Sequence, residues 1–291
     1  MKFTPVDDGF GVVASEAPLR GAGLADTARE IERALDEHLL VVIPGTGFAQ
    51  DDYVAFGRCF GTLEDFAISN VPGAGLSLAL SNLAPDGSIL PADAPFRRSV
   101  AADAMWHTDH TYRVQRARYS MLLAERVPAR GGETEYCDTR AAYDALPQTM
   151  KDRIDDCVAV HSIIYSRALA GFTEWTAEQR KQLCPVPQPL VFRNPHTGRK
   201  SLYLASHIAE IVGWPTAEAR ELVAELTEFA TQPRFVYAHR WQPGDLVIWD
   251  DRATMHRRAP YDDLAEARKL HTMRVIEPSE LYRPDVHYEI H

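Results

Sequence analysis

The sequence lacks the patterns that mark exported, membrane-bound and nucleic-acid-binding proteins. Its first residues carry no apolar run typical of a signal peptide, and no run of about 18 apolar residues predicts a transmembrane helix. It has no block of lysine and arginine, and its net charge of −10 disfavours contact with nucleic acid or an anionic membrane. We therefore expect a cytoplasmic protein that binds neither nucleic acid nor membrane.

Closely spaced cysteine pairs are also missing. The four cysteines, Cys59, Cys137, Cys157 and Cys184, are too far apart in the sequence to form a Cys-x-x-Cys motif. This spacing excludes a zinc ribbon and a thioredoxin-type redox motif. It favours four reduced thiols, several of them in the core.

The chain shows no internal repeat and no low-complexity linker, so we predict a single domain over residues 1–291. Hydrophobic residues make up 45% of the chain, which is enough for a large core. Two amphipathic helices are predicted near residues 24–38 and 50–60, before most of the short strand-like runs. This order predicts a mainly β protein, a sandwich or barrel with helical cover.

Several later segments have a clear periodicity. Residues 161–165 predict a strand, residues 190–205 a hairpin, residues 216–231 a helix and residues 269–276 the last strand. Residues 83–104 and 166–189 contain several prolines and little periodicity. Because long irregular stretches in a compact domain are usually functional, we interpret these two stretches as lid-like segments over a site.

The first candidate site lies in residues 106–109, which read Trp-His-Thr-Asp. In an extended strand, His107 and Asp109 would point to the same side, while His110 would point to the opposite side. His256, which follows an apolar run, can supply a third ligand. Two histidines and one carboxylate form the ligand set of a non-haem Fe(II) oxygenase. A His-x-Asp pair alone is more often explained by a hydrogen-bonded histidine in or near the core, so the hypothesis depends on its surroundings.

Three further residues match the needs of 2-oxoglutarate. Its distal carboxylate requires a bidentate cation, for which arginine is better suited than lysine. Arg268 lies twelve residues after His256, and Arg274 lies six residues further on. Thr134 can add a hydroxyl hydrogen bond to the same carboxylate.

In combination, these residues resemble a known family. From about residue 24 to residue 276, the chain is similar to the taurine/2,4-dichlorophenoxyacetate (TauD/TfdA) class of Fe(II)/2-oxoglutarate dioxygenases, and most closely to its 2,4-dichlorophenoxyacetate branch. The motifs that carry the resemblance are residues 106–109, 118–122, 131–138, 140–147, 198–202 and 244–250.

The resemblance implies a double-stranded β-helix, a cupin-like jelly roll with N-terminal helices and inserted lid segments. It implies that His107, Asp109 and His256 are the catalytic metal ligands and that Thr134 and Arg268 bind 2-oxoglutarate. The implied cofactor and cosubstrates are Fe(II), 2-oxoglutarate and O2. The implied reaction is hydroxylation, desaturation or oxidative cleavage of a small organic acid, such as an aryloxyalkanoate, with release of succinate and CO2.

The sequence departs from the family pattern at two places. The family often has Asn after Trp-Asp, where this chain has Asp251, so a hydrogen bond behind the metal ligands is expected to differ. The two arginines are often four residues apart in the family, and here Arg268 and Arg274 are six apart. Arg274 can therefore assist 2-oxoglutarate binding, hold the substrate anion, exchange roles with Arg268 or lie outside the site.

Four residues are candidates for the substrate side of the site. His207 matches a histidine of the phenoxyacetate branch and could bind a carboxylate, although a packed histidine at a strand end fits as well. Arg167 lies at the start of the second lid-like segment, and an exposed arginine on a mobile loop is the simpler interpretation. Asn82 is a further pocket candidate, and Trp106 also fits a core position beside the metal.

Two other functions fit part of the same pattern. A zinc hydrolase can use two histidines and a carboxylate, but this function explains neither Thr134 nor Arg268. A catalytically silent jelly-roll protein could bind a small acid, but intact metal ligands argue against this function. We expect a small-molecule carboxylate or related anion as substrate and a homo-oligomer, a dimer or higher.

Overall fold

The first helix shows how the sequence determines the local structure. In the computed structural model, which describes residues 1–7, 9–66, 75–94, 97 and 100–278, α1 spans Leu24–His38. Its buried residues include Ala28, Ile31 and Leu35, which keep a helical period and form one apolar face. The helix ends at Leu39, whose φ of 66° lies in the left-handed region and whose N–H donates to the Leu35 carbonyl.

Short strands account for most of the remaining regular structure. The other helices are α2 (Gln50–Arg58), α3 (Thr139–Ala145), α4 (Gln148–Ile154), α5 (Ile163–Leu169), α6 (Ala177–Gln182) and α7 (Thr216–Ala230). The strands are β1 (Lys2–Pro5), β2 (Val12–Ser15), β3 (Leu40–Ile43), β4 (Leu78–Ser81), β5 (Ala117–Arg126), β6 (Thr134–Asp138), β7 (Val158–His161), β8 (Val186–Pro189), β9 (Val191–Arg193), β10 (Lys200–Leu202), β11 (Ile208–Ile211), β12 (Val236–His239), β13 (Leu246–Asp250), β14 (Thr254–Arg258) and β15 (Lys269–Ile276).

A seven-stranded sheet, in the order β1-β2-β3-β13-β5-β15-β4, forms one layer of the fold. Alternate residues along its strands point to opposite faces. One face, which includes Val41, Met121 and Ile248, packs with α1 and α2. The other, with Val42 and Trp249, packs with side chains of β6 and β12. Because both faces are covered, strand β3 and the first four residues of β13 are apolar on both sides of the sheet.

The opposing layer is the three-stranded sheet β12-β6-β14. A second three-stranded sheet, β11-β7-β8, and the hairpin β9-β10 extend this side. They share a separate core cluster with α7, which contributes Leu222 and Leu226. Two packed sheets with helical cover match the mainly β architecture that was predicted. No helix among the described residues is both long enough and apolar enough to span a membrane.

One predicted strand is wrong. Strand β7 already ends at His161, and α5 begins at Ile163. The apolar residues that follow favoured a strand by composition, but Ser162 Oγ accepts a hydrogen bond from the Tyr165 N–H and caps a helix instead. The predicted hairpin at residues 190–205, the helix starting at Thr216 and the strand Lys269–Ile276 are all present.

The two lid-like segments contain more regular structure than expected. Residues 83–104 include a short 3-10 helix, Ala101–Ala104, while residues 95, 96, 98 and 99 lie outside the described part of the chain. Residues 166–189 include the end of α5, all of α6 and strand β8, which pairs with β7. The second segment therefore ends inside a sheet. The lid function of both segments stays a prediction.

Candidate metal and cosubstrate site

Backbone pairing brings the candidate metal ligands together. His107 and His256 form an isolated antiparallel bridge, in which the His107 N–H donates to the His256 carbonyl at 3.0 Å and the His256 N–H donates back at 2.8 Å. Their ring centroids are 4.2 Å apart. One ligand atom from each of His107, Asp109 and His256 lies within 4.8 Å of the others, which fits a single metal ion.

The two imidazoles are prepared to donate electron pairs to a metal. His107 Nδ1 lies 2.8 Å from the Met105 carbonyl oxygen, which can only accept, so Nδ1 carries the proton and Nε2 is left with a lone pair. Burial, together with the nearby His107, lowers the pKa of His256 to about 3. His256 is therefore neutral at physiological pH, as a metal ligand must be.

Asp109 sits in a turn rather than in the extended strand that was expected, but its carboxylate is firmly oriented. Ser120 Oγ donates to Asp109 Oδ2 at 3.0 Å, and Arg274 Nη2 donates to Oδ1 at 3.0 Å. Burial opposes ionisation of Asp109, but the Arg274 charge and its hydrogen bond, with smaller effects of His256 and His107, outweigh it and hold the pKa well below its ordinary value. Asp109 is thus an anion, as a carboxylate metal ligand must be.

The carboxyl group of Asp251 lies directly behind Asp109. Its Oδ2 is 2.6 Å from Ser120 Oγ, and its Oδ1 accepts from Trp249 Nε1 at 3.0 Å. Burial and the negative charge of Asp109 raise the pKa of Asp251 well above its ordinary value. A neutral carboxyl group can donate to Ser120, and Ser120 can then donate to Asp109. The departure from the family's Asn therefore preserves a neutral hydrogen-bonding group at this position.

A second cluster forms the predicted cosubstrate end. Arg268 Nε donates to the Gly132 carbonyl at 3.0 Å, and its Nη2 lies 3.4 Å from Thr134 Oγ1. Trp241 Nε1 also donates to Thr134 Oγ1, at 3.0 Å. Burial, with a contribution from the charge of Arg258, lowers the pKa of Arg268 to about 10, so the guanidinium remains a cation at neutral pH.

Gly132 allows this close approach. Its φ of +69° lies in the left-handed region, and a Cβ there would be 2.8 Å from Pro128 Cγ and 3.4 Å from Arg268 Cδ. Glycine adopts this backbone conformation without strain. Thr134, Arg268 and the three candidate metal ligands line the same cavity. That arrangement places a candidate metal site and a buried cation in one cavity.

Comparisons with known proteins agree with this geometry. The family model described as "Taurine catabolism dioxygenase TauD, TfdA family" matches residues 2–276. The chain belongs to this family. It is 41% identical over 263 residues to the alpha-ketoglutarate-dependent 2,4-dichlorophenoxyacetate dioxygenase of Cupriavidus pinatubonensis, a match that covers 89% of this chain and 92% of the relative.

One further relative and one solved structure are also similar to this TauD/TfdA chain. The chain is 37% identical to the (S)-phenoxypropionate/alpha-ketoglutarate-dioxygenase of Sphingobium herbicidovorans, over 89% of this chain and 90% of the relative. The crystal structure of AAD-2 in complex with Mn(II) and N-oxalylglycine superimposes with a TM-score of 0.88 at 37% identity, over 98% of this chain and all of the other. The predicted family, jelly-roll fold and 2-oxoglutarate-dependent dioxygenase class are confirmed, and the two rival functions gain no support.

In this TauD/TfdA protein, Arg274 lies beside the candidate metal ligand Asp109 rather than beside Thr134. Arg274 is on β15, whereas Arg268 immediately precedes this strand, whose pairing register with β5 shifts between Lys269 and Leu270. Arg268 reaches Thr134, whereas Arg274 contacts Asp109 and, at 3.0 Å, Glu64. The structure therefore separates the two arginines. The role of Arg274 in binding 2-oxoglutarate stays a prediction.

Two of the substrate candidates face the cavity. His207 Nδ1 lies 2.7 Å from Ser166 Oγ, and its ring packs edge-on to Tyr112. Burial, with smaller effects from neighbouring charges, lowers the pKa of His207 well below its ordinary value, so the imidazole is neutral. Arg167 also lines the cavity and forms an ion pair with Asp103 at 3.1 Å. It is held in place rather than free on an exposed loop.

The other two candidates have structural contacts. Asn82 reaches the cavity wall, but its side chain bonds to backbone groups: Oδ1 accepts from the Arg268 N–H, and Nδ2 donates to the carbonyls of Asp263 and Glu266, all at 2.8 Å. Trp106 packs against the core cluster beneath α7, with the Arg257 guanidinium 4.7 Å from its ring. Neither arrangement assigns a substrate contact.

Sequence reasoning missed several residues that complete the site. Ser120 could have been found, because it is a polar residue within an otherwise apolar strand. Glu64 reaches the cavity from a loop after α2, Asp103 from the 3-10 helix Ala101–Ala104, and Trp241 reaches Thr134 from beyond β12. No local spacing marks these three residues, because only the tertiary fold brings them to the site.

Proposed function

We propose that the protein is an Fe(II)- and 2-oxoglutarate-dependent dioxygenase that oxidises a small organic acid of the aryloxyalkanoate type. The observation that carries the proposal is a single cavity that holds the ligand triad of His107, Asp109 and His256 together with the Arg268–Thr134 pair. The triad provides nitrogen and oxygen ligands and leaves coordination positions open. A zinc hydrolase would have no use for the buried cation.

The residues fit the metal and the cosubstrate. His256 is neutral and Asp109 is an anion, while the Met105 carbonyl engages Nδ1 of His107 and leaves its Nε2 to face a metal, so the donor set suits a divalent ion. Iron with 2-oxoglutarate and O2 supplies the oxidising chemistry when bound, with succinate and CO2 as products. Arg268 and Thr134 would hold the distal carboxylate, because a guanidinium can bind it through two parallel hydrogen bonds.

The remaining chain positions and shields the reacting groups. Ser120 and Asp251 fix the orientation of the Asp109 carboxylate, and the Met105 carbonyl fixes the proton position on His107. His207 lies on the cavity wall close to the ring of His107. These side chains limit where a substrate can lie. The residues of the cavity wall therefore determine which substrates fit.

The substrate class comes from the relatives, whose names include 2,4-dichlorophenoxyacetate and (S)-phenoxypropionate. We infer that this chain accepts an acid of similar size, with the acid group directed at one of the arginines of the cavity. Anaerobic reconstitution with Fe(II) and 2-oxoglutarate, followed by air and a panel of aryloxyalkanoates, tests this proposal. We expect acid-dependent succinate release together with an oxidised product detected by mass spectrometry.

The control is His107→Ala, which removes a metal ligand and should abolish acid-dependent succinate formation. Full succinate formation in this variant would overturn the metal site. Turnover of 2-oxoglutarate that no acid in the panel stimulates would overturn the substrate class. Activity supported by Zn(II) without O2 would favour hydrolysis instead.

We also propose a cytoplasmic homo-oligomer with neither nucleic acid nor membrane among its partners. The acidic net charge supports the absence of these partners. Light scattering behind size-exclusion chromatography should give a mass of at least two chains, and a mass of 32.6 kDa would contradict the oligomer.

A further inference from the structure

The cavity wall beside the metal ligands contains a carboxylate that the proposed chemistry does not use. Glu64 Oε2 accepts from Arg274 Nη1 at 3.0 Å, and Glu64 Oε1 lies 2.8 Å from His110 Nε2. Glu64 and Arg274 both line the cavity, with side chains 11% and 13% exposed. An acidic group on this wall is unexpected in a site that takes an acid.

Arg274 is already held without Glu64. Its Nη2 donates to Asp109 Oδ1 at 3.0 Å, its Nε lies 2.9 Å from Asp109 Oδ2, and its guanidinium carbon lies 5.2 Å from the centre of the Phe66 ring. The amino group Nη1 is the part of the guanidinium directed away from Asp109. Glu64 therefore occupies the hydrogen-bonding edge that would otherwise be available to an anion in the cavity.

Glu64 also has a second partner, His110, which can hold the carboxylate after its contact with Arg274 is broken. Its two oxygens are divided between Arg274 and His110. The His110 backbone has a φ of 59°, in the left-handed region that residues other than glycine rarely adopt, and this conformation places the ring beside Glu64 rather than at the metal. The carboxylate can thus turn away from Arg274 without losing all of its contacts.

We propose that Glu64 is a specificity-determining residue that occupies the position of the substrate carboxylate on Arg274 until an acid substrate displaces it. The inference rests on the proposed acid substrate. An acid can replace Glu64 because it offers Arg274 the same carboxylate contact. A neutral analogue offers no charge to Arg274, so the Glu64–Arg274 pair stays closed and the analogue is excluded.

Glu64 is negatively charged near neutral pH and therefore competes with an anionic substrate for Arg274. Burial opposes its ionisation, but Arg274 and His110 outweigh this effect and lower the pKa of Glu64 to about 2. Protonation therefore does not remove the competitor near neutral pH. Substrate affinity should depend on the charge of Glu64 and on the charge of the ligand together.

Glu64→Gln tests this proposal, because glutamine keeps the shape and removes the charge. The measurement is the dissociation constant, by calorimetry, of an aryloxyalkanoate acid and of its primary amide. The protein is loaded with Mn(II) and N-oxalylglycine so that no turnover occurs. In Glu64→Gln the acid should bind about tenfold more tightly, while the amide should change by less than about twofold.

Glu125→Gln is the matched control. Glu125 pairs with Lys269 and His271 on the outside of the sheet, away from the metal cavity, so the same chemical change there should leave both dissociation constants unchanged. Glu64→Ala serves as a second variant if the glutamine loses thermal stability, and it should also tighten acid binding selectively.

Unchanged or weaker acid binding in both Glu64 variants would overturn the proposal and make Glu64 a permanent support of Arg274. Equal tightening of acid and amide would also overturn it, since the effect would then be one of space rather than charge. Succinate formation by the wild-type protein with the same acid is measured separately. Its absence counts against the proposed substrate class, whereas turnover without a charge-selective effect counts only against the role of Glu64.

Discussion

Asp251 is a carboxyl group at a position where the family often has an amide. Its hydrogen bonds to Ser120 and Trp249 require one donor and one acceptor, which a neutral carboxylic acid and an asparagine both provide. Asp251→Asn should therefore keep metal affinity and kcat within about threefold of the wild type. Metal titration and steady-state kinetics measure both quantities.

Asp251→Ala is the comparison variant for this prediction, because it removes the hydrogen-bonding group that asparagine retains. Alanine removes the partner of the Trp249 N–H and one of the two partners of Ser120, so Ser120 and Arg274 hold the Asp109 carboxylate less firmly. Metal affinity should fall roughly 10–100-fold, as is typical when a group behind a metal ligand is removed. If Asn were as harmful as Ala, Asp251 would have to act through its charge rather than through its hydrogen bonds.

The geometry of the Arg268 guanidinium is a second property at the residue scale. Its Nε is committed to the Gly132 carbonyl while Nη2 reaches Thr134, so a flat group with several donors is required. Arg268→Lys keeps the charge but not the fork. The KM for 2-oxoglutarate should rise about 10–100-fold, with a much smaller change in the KM for the acid.

The test of this prediction compares both KM values in the same preparation. Arg257→Lys is a suitable control, because Arg257 pairs with Glu135 and covers Trp106 rather than reaching the cavity. Equal increases in the two KM values for Arg268→Lys would show a general disturbance of the site. An unchanged KM for 2-oxoglutarate would remove Arg268 from the cosubstrate site.

The metal triad could be predicted from the sequence because its residues and their surroundings are distinctive. The underlying geometry was partly different, since His107 pairs with His256 in a bridge but Asp109 begins a turn instead of continuing a strand. From the sequence, Arg274 could be predicted to lie near the site, but the residues that it contacts could not be predicted. Its contacts with Asp109 and Glu64 depend on the packing of β15 against a distant loop, which no spacing in the sequence reveals.

At the element scale, the connection between β14 and β15 is held by the loop after β4. Asn82 fixes it through three backbone hydrogen bonds, and Arg97 adds an ion pair to Asp263 at 2.6 Å. Because Arg268 lies at the end of this connection, its position depends on these contacts. The first lid-like segment is thereby linked to the cosubstrate end of the cavity.

Asn82→Asp tests that link. Aspartate can still accept from the Arg268 N–H, but it cannot donate to the carbonyls of Asp263 and Glu266. Buried acceptors left without donors should lower the free energy of unfolding by about 2–4 kcal/mol. The KM for 2-oxoglutarate should rise while that for the acid changes less. Chemical denaturation measures the free energy of unfolding, and steady-state kinetics measure the two KM values. An unchanged KM for 2-oxoglutarate would show that Asn82 does not influence the cosubstrate site.

Elements of secondary structure were predictable where one signal dominated. The helix Thr216–Ala230 and the strand Lys269–Ile276 have a clear period and were found close to their limits. The segment after His161 was misassigned, because a single side-chain cap at Ser162 outweighed the strand preference of the following residues. Strand β8 was hidden among prolines, and its pairing with β7 is a tertiary property.

For the molecule as a whole, the metal site joins two parts of the fold that are already connected. The bridge between His107 and His256 consists of backbone hydrogen bonds, and the Thr108 hydroxyl lies 2.8 and 2.9 Å from the carbonyls of Leu204 and Thr254. Apolar core clusters also hold the large sheet on both of its faces. The fold should therefore persist without the metal.

Removal of the metal with EDTA should leave the far-UV circular dichroism spectrum unchanged. Metal at about 100 times its Kd adds about 2.7 kcal/mol to the stability of a protein that binds it only when folded, so the Tm of this chain should fall by roughly 5 °C. Restoring Fe(II) or Mn(II) should restore the Tm. In His107→Ala, the same additions should produce little shift, because one of three ligands is missing. A loss of cooperative unfolding after EDTA treatment would contradict the prediction, since it would mean that the metal, rather than the backbone bridge, holds His107 and His256 together.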